Sequence, residues 1–332
     1  MTRHFAIPLA LVLTLAAACE QSAAPEEKSG PGPAAGMAMN PPIRMVPPGK
    51  KAELTSSNNL TSPALPSELT ELVALLGQPS TIPVRTLHDT IKGYGLQALP
   101  SLLKMLTDAN HHVRLATVKL LGEFKEHARE IAPHLIALLK TEPMVQIRSM
   151  TIDALARLEL FSEEVQQAFL RALSDSGWLV RWEAVRGLGG FGDKAKSFVP
   201  HLEKMLEDAN TWVQLYTAIS LLRIQGSSEK ASKHLVTLAL DADVRFRLNV
   251  VAQIETLPPG TCPQTAPALL KLLADPDVKV RRVASRAVGT CAPHLPRSAA
   301  IVDPLKQAEQ DADHSVRVHA TEALGKLPST TP

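Results

Sequence analysis

The chain has 332 residues, of which 45% are hydrophobic, only 4% are aromatic and 20% are charged. An apolar fraction made mostly of Ala, Leu and Val suits helical packing better than a β-sandwich core, and therefore predicts an all-α protein. The 35 Lys and Arg residues are nearly balanced by 33 Asp and Glu residues. Such a surface has no general attraction for nucleic acid or anionic lipid, so nucleic acid is not an expected partner.

The first 18 residues have the organisation of a secretory signal. Met1 to His4 form a short positive start, Phe5 to Leu15 form an apolar stretch, and three alanines precede Cys19. The apolar stretch is shorter than the roughly 20 residues that a membrane-spanning helix needs. We therefore interpret residues 1–18 as a signal peptide.

The end of this segment, Leu15-Ala-Ala-Ala-Cys19, resembles the lipobox of bacterial lipoproteins, although its Leu lies one place earlier than that family favours. The resemblance implies that the Cys19 thiol receives a diacylglyceryl group, that fatty acids such as palmitate anchor the protein, and that Cys19 becomes the mature N-terminus. Glu20 in place of Asp then favours the outer membrane of the cell envelope. The alternative is ordinary cleavage after Ala18, which leaves Cys19 as a plain thiol.

Residues 19–64 are expected to join this anchor to the folded part as a disordered tether. From Glu20 to about Ser62 the chain is rich in Pro, Ala, Gly, Ser and Met and has almost no periodic apolar residues. Such a composition cannot bury enough apolar surface to offset the loss of chain entropy. A flexible coil of this length has a mean span on the order of 35 Å, so the body is expected to stand clear of the membrane.

Across residues 65–332 one pattern recurs about every 33 residues. An acidic residue is followed five positions later by Val, Ile or Phe, and the next residue is Arg in all units but one, which has Gln214. The acidic positions are Asp108, Glu142, Asp175, Asp208, Asp241, Asp275 and Asp311. The apolar positions are Val113, Ile147, Val180, Val213, Phe246, Val280 and Val316. A recurrence of this length predicts stacked helix pairs, in which each pair contacts only its neighbours.

The second helix of each pair is expected to begin two residues after the acidic position, where the chain offers N-cap residues. These are Asn110, Asn210, Asp243, Asp277 and Asp313, with Gly177 in another unit. Counted from the Val, Ile or Phe position as zero, position +4 is small or β-branched and position +8 is Leu, Ile or Val, so the three form one apolar helix face. Pro residues are expected in the first turn of most first helices, where no hydrogen bond is lost. They are Pro66, Pro100, Pro133, Pro200, Pro267 and Pro304.

These residues resemble HEAT repeats, and more closely the bacterial HEAT-like repeats of the phycobilisome-lyase or E-Z type. The pattern of Leu-Leu, Asp, Val-Arg, Ala and Leu-Gly that marks those repeats is matched almost throughout by residues 269–289. The resemblance implies an all-α solenoid, a superhelix of about eight HEAT-like helix pairs over residues 65–332. It also suggests that the acidic and Arg positions form a ladder between neighbouring units, whose members we expect to be exposed and individually weak.

The sequence offers no constellation that predicts catalysis, a metal or a cofactor. It contains no Gly-rich phosphate loop, no Gly-x-Ser-x-Gly elbow and no Cys-x-x-Cys. Deoxyhypusine hydroxylases, which are HEAT-repeat enzymes, hold iron with paired His-Glu steps, and no His-Glu dipeptide occurs here. His134, His201 and His234 share one place near a first-helix N-terminus, which is typical of a repeat feature and not of a metal site.

Two cysteines belong to a single repeat unit. Cys262 precedes the first helix of that unit and Cys291 ends its second helix, so both are expected at one edge of the solenoid. An exported, oxidising location permits a disulfide between them. The alternative is two separate buried thiols, because the sequence does not give the distance between the two Cα atoms.

The second helices of HEAT arrays usually line the concave face, and positions +2, +6 and +10 are expected to point away from the core. In the middle and later units these positions hold Trp182, Arg186, Leu215, Ile219, Arg223, Leu248, Arg282 and Arg286. Apolar anchors beside Arg are typical of the centre of a protein interface, so these residues are the predicted partner-binding face. The alternative is that Trp182 and Leu215 pack against adjacent units. Wedge-like packing between units explains Trp178 and Trp212, in the turns between paired helices, at least as well as binding does.

Together these features favour a non-catalytic, lipid-anchored scaffold of the bacterial cell envelope that binds another protein. The sequence does not identify that partner. The alternative is an enzyme or an enzyme accessory subunit, lyase-like or chromophore-handling, as the name of the repeat type suggests. Export argues against a cytoplasmic pigment role, and the missing catalytic motifs argue against chemistry in general.

Overall fold

The computed structural model describes residues 72–73, 75–76 and 84–329. Regular elements in this range are helices, which confirms the predicted all-α class. The predicted signal peptide (1–18), the anchor residue Cys19 and the tether (19–64) lie outside the described residues. Before Val84 the structure describes only residues 72, 73, 75 and 76, of which Val73 and Leu76 are buried.

Fifteen α-helices follow one another within the described residues. They are α1 (Val84–Gly93), α2 (Leu99–Met105), α3 (His111–Leu121), α4 (Ala128–Thr141), α5 (Val145–Arg157), α6 (Glu163–Ala172), α7 (Trp178–Phe191), α8 (Val199–Met205), α9 (Thr211–Gln225), α10 (Glu229–Leu238), α11 (Val244–Ile254), α12 (Cys262–Leu272), α13 (Val278–Cys291), α14 (Ala299–Ala308) and α15 (His314–Lys326). From α2 onward they form seven consecutive pairs, each made of a first and a second helix. Second helices pack on the next second helix along the chain, as α5 on α7 and α7 on α9, and first helices α10 and α12 do the same. This nearest-neighbour stacking is the predicted solenoid.

The predicted N-caps begin the second helices. The side chains of Asn110, Asn210, Asp243, Asp277 and Asp313 each accept a backbone N–H from the first turn of the helix that follows. Gly177 takes the same extended backbone conformation without a side-chain bond. In the unit of Glu142, Met144 precedes the helix, and the Glu142 carboxylate accepts the Met144 N–H at 3.1 Å.

The face formed by positions 0, +4 and +8 is buried as predicted. In α7, for example, Val180, Ala184 and Leu188 are each at most 1% exposed. Three units place Thr at position +4, and each Thr hydroxyl donates to the carbonyl oxygen four residues earlier, so the buried hydroxyl is satisfied. The exception is Leu324 in α15, the last helix of the described stack, which is only half-buried.

Several prolines lie deeper in their helices than the sequence suggested. Pro100 and Pro200 occupy the first turn, as expected. Pro133, Pro267 and Pro304 lie inside α4, α12 and α14, which begin up to five residues earlier. The prediction was wrong for these three because the pattern marks Pro but not the helical residues that precede it. Each interior Pro removes one backbone hydrogen bond from its helix.

Two second helices approach each other unusually closely at the middle of the stack. A Cβ atom added to Gly189 of α7 would lie 2.3 Å from Ser220 Oγ of α9, and that hydroxyl donates to the Val185 carbonyl oxygen at 2.7 Å. Gly187 leaves similar room for the Phe169 ring of α6. The absence of a side chain at Gly189 therefore sets the contact between α7 and α9, where most of the predicted binding residues lie.

Candidate functional site

Five Arg side chains join neighbouring helix pairs through one repeated set of hydrogen bonds. Nη1 donates to two carbonyl oxygens of its own unit, while Nε and Nη2 donate to the carboxylate of the next unit. For Arg247, Nε and Nη2 lie 2.6 and 2.8 Å from the Asp275 oxygens, and Nη1 lies 2.8 Å from the Asp241 carbonyl oxygen. The pairs are Arg114–Glu142, Arg148–Asp175, Arg181–Asp208, Arg247–Asp275 and Arg281–Asp311. The ladder suggested by the HEAT resemblance is present.

The ladder side chains are buried or half-buried, which corrects the expectation of exposed pairs. The side chains of Arg247 and Asp275 are 8% and 3% exposed, and that of Glu142 is 1% exposed. The reason is that each carboxylate sits under the N-terminal turn of the following second helix. Asp275 Oδ1, for instance, also accepts the Asp277 N–H at 2.8 Å. Bidentate pairs with this much burial fix the register of neighbouring units.

Four ladder carboxylates hold a pKa below their ordinary values. Burial raises the pKa of these groups, but hydrogen bonds from Arg and from backbone N–H groups outweigh it. The four are Glu142, Asp175, Asp208 and Asp311. Because the folded pKa is lowered, their contribution to stability is complete above the ordinary values and is lost as the pH falls through the folded pKa.

One step of the ladder is replaced by a neutral contact. Gln214 stands where the other units have Arg, and its Nε2 donates to the Asp208 carbonyl oxygen at 2.5 Å. Its Oε1 lies 3.0 Å from His234 Nε2, so the amide bridges to the first helix of the following pair, α10. Gln214 therefore keeps the link within its own unit but forms no ion pair with Asp241.

We refer to positions +2, +6 and +10 of the second helices as the second-helix face. Three of its predicted members are buried and cannot contact a partner: Trp182 is 7% exposed, and Leu215 and Ile219 are 0% exposed. For these residues the predicted exposure was wrong, and the alternative raised for Trp182 and Leu215, packing against adjacent units, is confirmed for Trp182. Trp182 packs edge-to-face on Tyr216 of the next second helix, with ring centroids 5.0 Å apart.

The physical reason is that a second helix has three neighbours. It contacts its own first helix and also the second helices before and after it, so its buried stripe is wider than the 0, +4, +8 face. Trp212 follows the same rule, because its ring lies edge-to-face on Phe246 of α11 at 5.0 Å. Wedge-like packing between units therefore accounts for Trp212.

The remaining predicted residues do reach the surface. Arg282 and Arg286 are exposed and pair with Asp313 and Glu255 of neighbouring units, while Leu248 is half-buried. Arg186 and Arg223 are half-buried. The surface of the second-helix face is therefore formed mainly by charged side chains, with apolar side chains buried beneath them. An apolar patch flanked by Arg had been predicted instead.

An ionic cluster around the buried Glu183 carboxylate, at the centre of this face, was missed by the sequence reasoning. Arg186 Nε lies 2.7 Å from Glu183 Oε2, and the same guanidinium bonds Asp153 of α5. It also lies over the Trp182 ring, 5.7 Å from the centroid. Position +3, which holds Glu183, is Ala116, Met150, Tyr216, Asn249, Val283 or His319 in the other units, so Glu183 is the single carboxylate at this position among the seven. A carboxylate at an otherwise mostly apolar position was the signal that could have revealed the cluster.

The Glu183 carboxyl gives the protein a predicted pH dependence. Burial raises its pKa to about 7, against the opposing effect of Arg186. Between the ordinary value of 4.5 and about 7 the unfolded chain has lost this proton and the folded chain keeps it. The free energy of unfolding is therefore expected to fall as the pH rises through this window, by up to about 3 kcal/mol. Urea unfolding followed by circular dichroism at pH 5 and at pH 7.5 measures the fall.

Glu183→Gln is the matched control for this dependence, because it keeps the shape and cannot titrate. The lowered pKa values of Glu142, Asp175, Asp208 and Asp311 keep their titration below this range. Burial lowers the pKa of His88 and His234, which gives a dependence of opposite sign in the same range. The quantity to compare is therefore the difference between the two proteins at each pH. Parallel curves for the original protein and Glu183→Gln would contradict the raised pKa.

Cys262 and Cys291 are joined by a disulfide, with their Cα atoms 5.3 Å apart. The bond links the start of α12 to the end of α13, so it holds both helices of one pair at the same edge of the stack. The sequence left two alternatives open, a disulfide or two separate buried thiols, and the structure contains the disulfide.

Within the described residues there is no group of three or more His, Cys, Asp or Glu side chains placed to hold a metal ion.

Comparison with known protein families identifies the repeats. The family described as HEAT repeats matches residues 132–223, 167–255 and 266–332, and a related HEAT repeat description matches residues 98–128. The first set of matches alone covers more than half of the chain. Comparison with curated proteins gives no match.

Several solved structures are similar to this chain at low sequence identity. YibA from Escherichia coli has a TM-score of 0.57 and 15% identity, covering 77% of this chain and 92% of that chain. The CpcE and CpcF complex of phycocyanin lyase from Nostoc gives a TM-score of 0.44 and 16% identity over 85% of this chain and 100% of that chain. Human deoxyhypusine hydroxylase gives 0.33 and 18% over 78% of this chain and 95% of that chain. At these identities the YibA comparison supports the fold alone.

Proposed function

Because the chain belongs to the HEAT-repeat family, we propose that it is a non-catalytic scaffold that holds another protein along its second-helix face. We further propose that a lipid on Cys19 anchors it in the bacterial cell envelope, at the outer membrane. Stacked helix pairs present an extended surface to which each repeat adds a few side chains, and this architecture suits capture of a partner better than enclosure of a small substrate.

The observation that carries the scaffold proposal is the composition of the second-helix face. Arg186, Arg223, Arg282 and Arg286 reach the surface on three separate helices, α7, α9 and α13, above buried apolar side chains. Arg is enriched in protein interfaces because its planar group forms several directed hydrogen bonds while its stem covers apolar surface. A row of Arg side chains fixed by neighbouring helices can therefore hold a partner in one register.

The anchor proposal is supported by the sequence of residues 1–19, which lie outside the described residues. In the part of the chain that the structure describes, no helix is long and apolar enough to cross a membrane. Cys19→Ala is expected to release the folded protein from the membrane fraction or to block its processing. Membrane fractionation and labelling with radioactive palmitate measure this, and the repeats should unfold at an unchanged temperature.

Retention of Cys19→Ala in the membrane fraction with normal maturation and labelling would contradict lipidation at this residue.

The scaffold proposal has a separate test. We expect Arg282→Glu combined with Arg286→Glu to reduce recovery of the native partner from solubilised membranes at least about tenfold, because interface Arg residues are often worth 2 kcal/mol or more each. The matched control is Lys104→Glu with Arg129→Glu, which makes the same charge change on exposed first-helix positions.

Equal loss of the partner in both double variants would show that net charge, and not the second-helix face, governs recovery. A bound cofactor or turnover by the isolated repeats would favour the alternative of an enzyme or an enzyme accessory subunit.

A further inference from the structure

Four cations cross the centre of the second-helix face, one on each of four consecutive second helices. They are Lys119 on α3, Arg157 on α5, Arg186 on α7 and Arg223 on α9. We call them the cation row. Successive members of the row are linked by direct contacts. Arg157 Nη2 donates to the Lys119 carbonyl oxygen at 2.9 Å, and Arg157 and Arg186 both pair with Asp153. Arg186 and Arg223 act on each other electrostatically.

The cation row carries more positive charge than its own acidic neighbours balance. Asp153 and Glu183 are the acidic groups that pair with it, and burial raises the pKa of Glu183 to about 7. In the described part of the chain Lys119 and Arg223 form no ion pair, and Arg223 donates only to Thr256 Oγ1. Elsewhere on the face the cations are matched, as Arg282 by Asp313 and Arg286 by Glu255.

The two unpaired cations are half-buried, so solvent stabilises their charge less than it stabilises that of an exposed Lys or Arg. Burial, together with the nearby Arg157, lowers the pKa of Lys119, and burial together with Arg186 lowers the pKa of Arg223. An anion is expected to bind a half-buried, unpaired cation more favourably than an exposed Lys or Arg. The reason is that folding has already removed part of the water that anion binding would otherwise have to displace. All four side chains remain accessible enough to be touched by a ligand.

The geometry of the row selects among anions. The axes of packed helices lie about 8–10 Å apart, so a ligand that touches all four cations has to cross four second helices, although the charged groups themselves come closer where Arg157 and Arg186 share Asp153. An extended peptide advances roughly 3.1–3.4 Å per residue, so a segment of about ten residues is long enough to cross four helices. Single-stranded nucleic acid would instead need exposed aromatic rings for base stacking. Here the candidate rings, Trp182 and Tyr216, are 7% and 5% exposed and pack edge-to-face on each other.

We infer that the cation row binds an acidic segment of the protein partner, held in an extended conformation that crosses the four second helices. The inference rests on the proposed function, since it gives the chemistry of the partner on the same face. Its experiment uses a synthetic peptide and the full chain in detergent, so it does not depend on finding that partner.

The probe is a fluorescent ten-residue peptide with Glu at every third position and Pro and Ala between, and the measurement is fluorescence anisotropy. We expect binding that weakens with salt and that disappears when Gln replaces each Glu. Lys119→Gln with Arg223→Gln is expected to weaken binding about tenfold or more. Both residues are half-buried like charges without ion pairs, so this variant should melt at the same temperature as the original protein or higher.

The matched control is Lys104→Gln with Arg129→Gln, which removes two exposed cations from first helices and should change the affinity less than about twofold. Equal binding of the Gln peptide, or an equal loss in the control variant, would overturn the inference. So would an oligothymidylate that binds as tightly and depends on the same two residues, because the row would then bind polyanions generally. If the peptide fails while Arg282→Glu with Arg286→Glu still loses the native partner, the inference fails and the scaffold proposal stands.

Discussion

Asp275→Ala is expected to lower the free energy of unfolding by about 3–5 kcal/mol, because it leaves the Arg247 guanidinium buried without its carboxylate. The Asp275 side chain is 3% exposed and receives both Nε and Nη2 of Arg247. It also accepts the Asp277 N–H at the start of α13, so the substitution removes a backbone contact between the turn and the helix. Urea unfolding followed by circular dichroism at pH 7.5 measures the change.

The matched control is Asp193→Ala, which removes a carboxylate that is 84% exposed and paired with Lys196. An exposed pair of this kind contributes less than about 1 kcal/mol. The double variant Arg247→Ala with Asp275→Ala should lose less than the sum of the two single variants, since neither charge is then left alone. A loss for Asp275→Ala as small as that for Asp193→Ala would mean that solvent screens the ladder.

The repeat pattern predicted the pairs of the ladder but not their burial. Spacing places Arg247 one residue after Phe246 and Asp275 at the next acidic position, which is enough to pair them along a stack. Burial depends on how the following turn folds over the carboxylate, and that turn is set by the Asp277 cap and its helix. Sequence periodicity describes one helix at a time and does not contain this contact between units.

The same limit explains the second-helix face. A period of 3.6 residues identified Val180 and Leu188 as core, because they face the first helix of their own pair. It could not show that Trp182 and Leu215 are covered from the side by adjacent second helices, since that cover depends on the close approach at Gly189. The Arg positions were predicted better, because a long charged side chain reaches solvent even where its stem is buried.

Trp182→Ala is expected to destabilise the protein by about 3–5 kcal/mol, the range for removing a large buried aromatic side chain. The ring is 7% exposed, packs on Tyr216 and supports the Arg186 guanidinium, so the substitution opens a cavity beneath the ionic cluster. The indole Nε1 has no hydrogen-bond partner among the described residues. Trp182→Phe, which keeps a ring and loses only an unpaired N–H and some volume, should cost roughly 1 kcal/mol.

Thermal and urea unfolding of Trp182→Ala and Trp182→Phe distinguish packing from partner contact. A variant that combines Trp182→Ala with Arg186→Glu would also set a third carboxylate beside Glu183 and Asp153, so a loss of partner binding in that variant would report unfolding and not the face. Trp182→Ala with unchanged stability but reduced partner recovery would contradict the buried position. In that case Trp182 would be an interface residue after all, and the cation row would have an aromatic anchor within reach of its ligand.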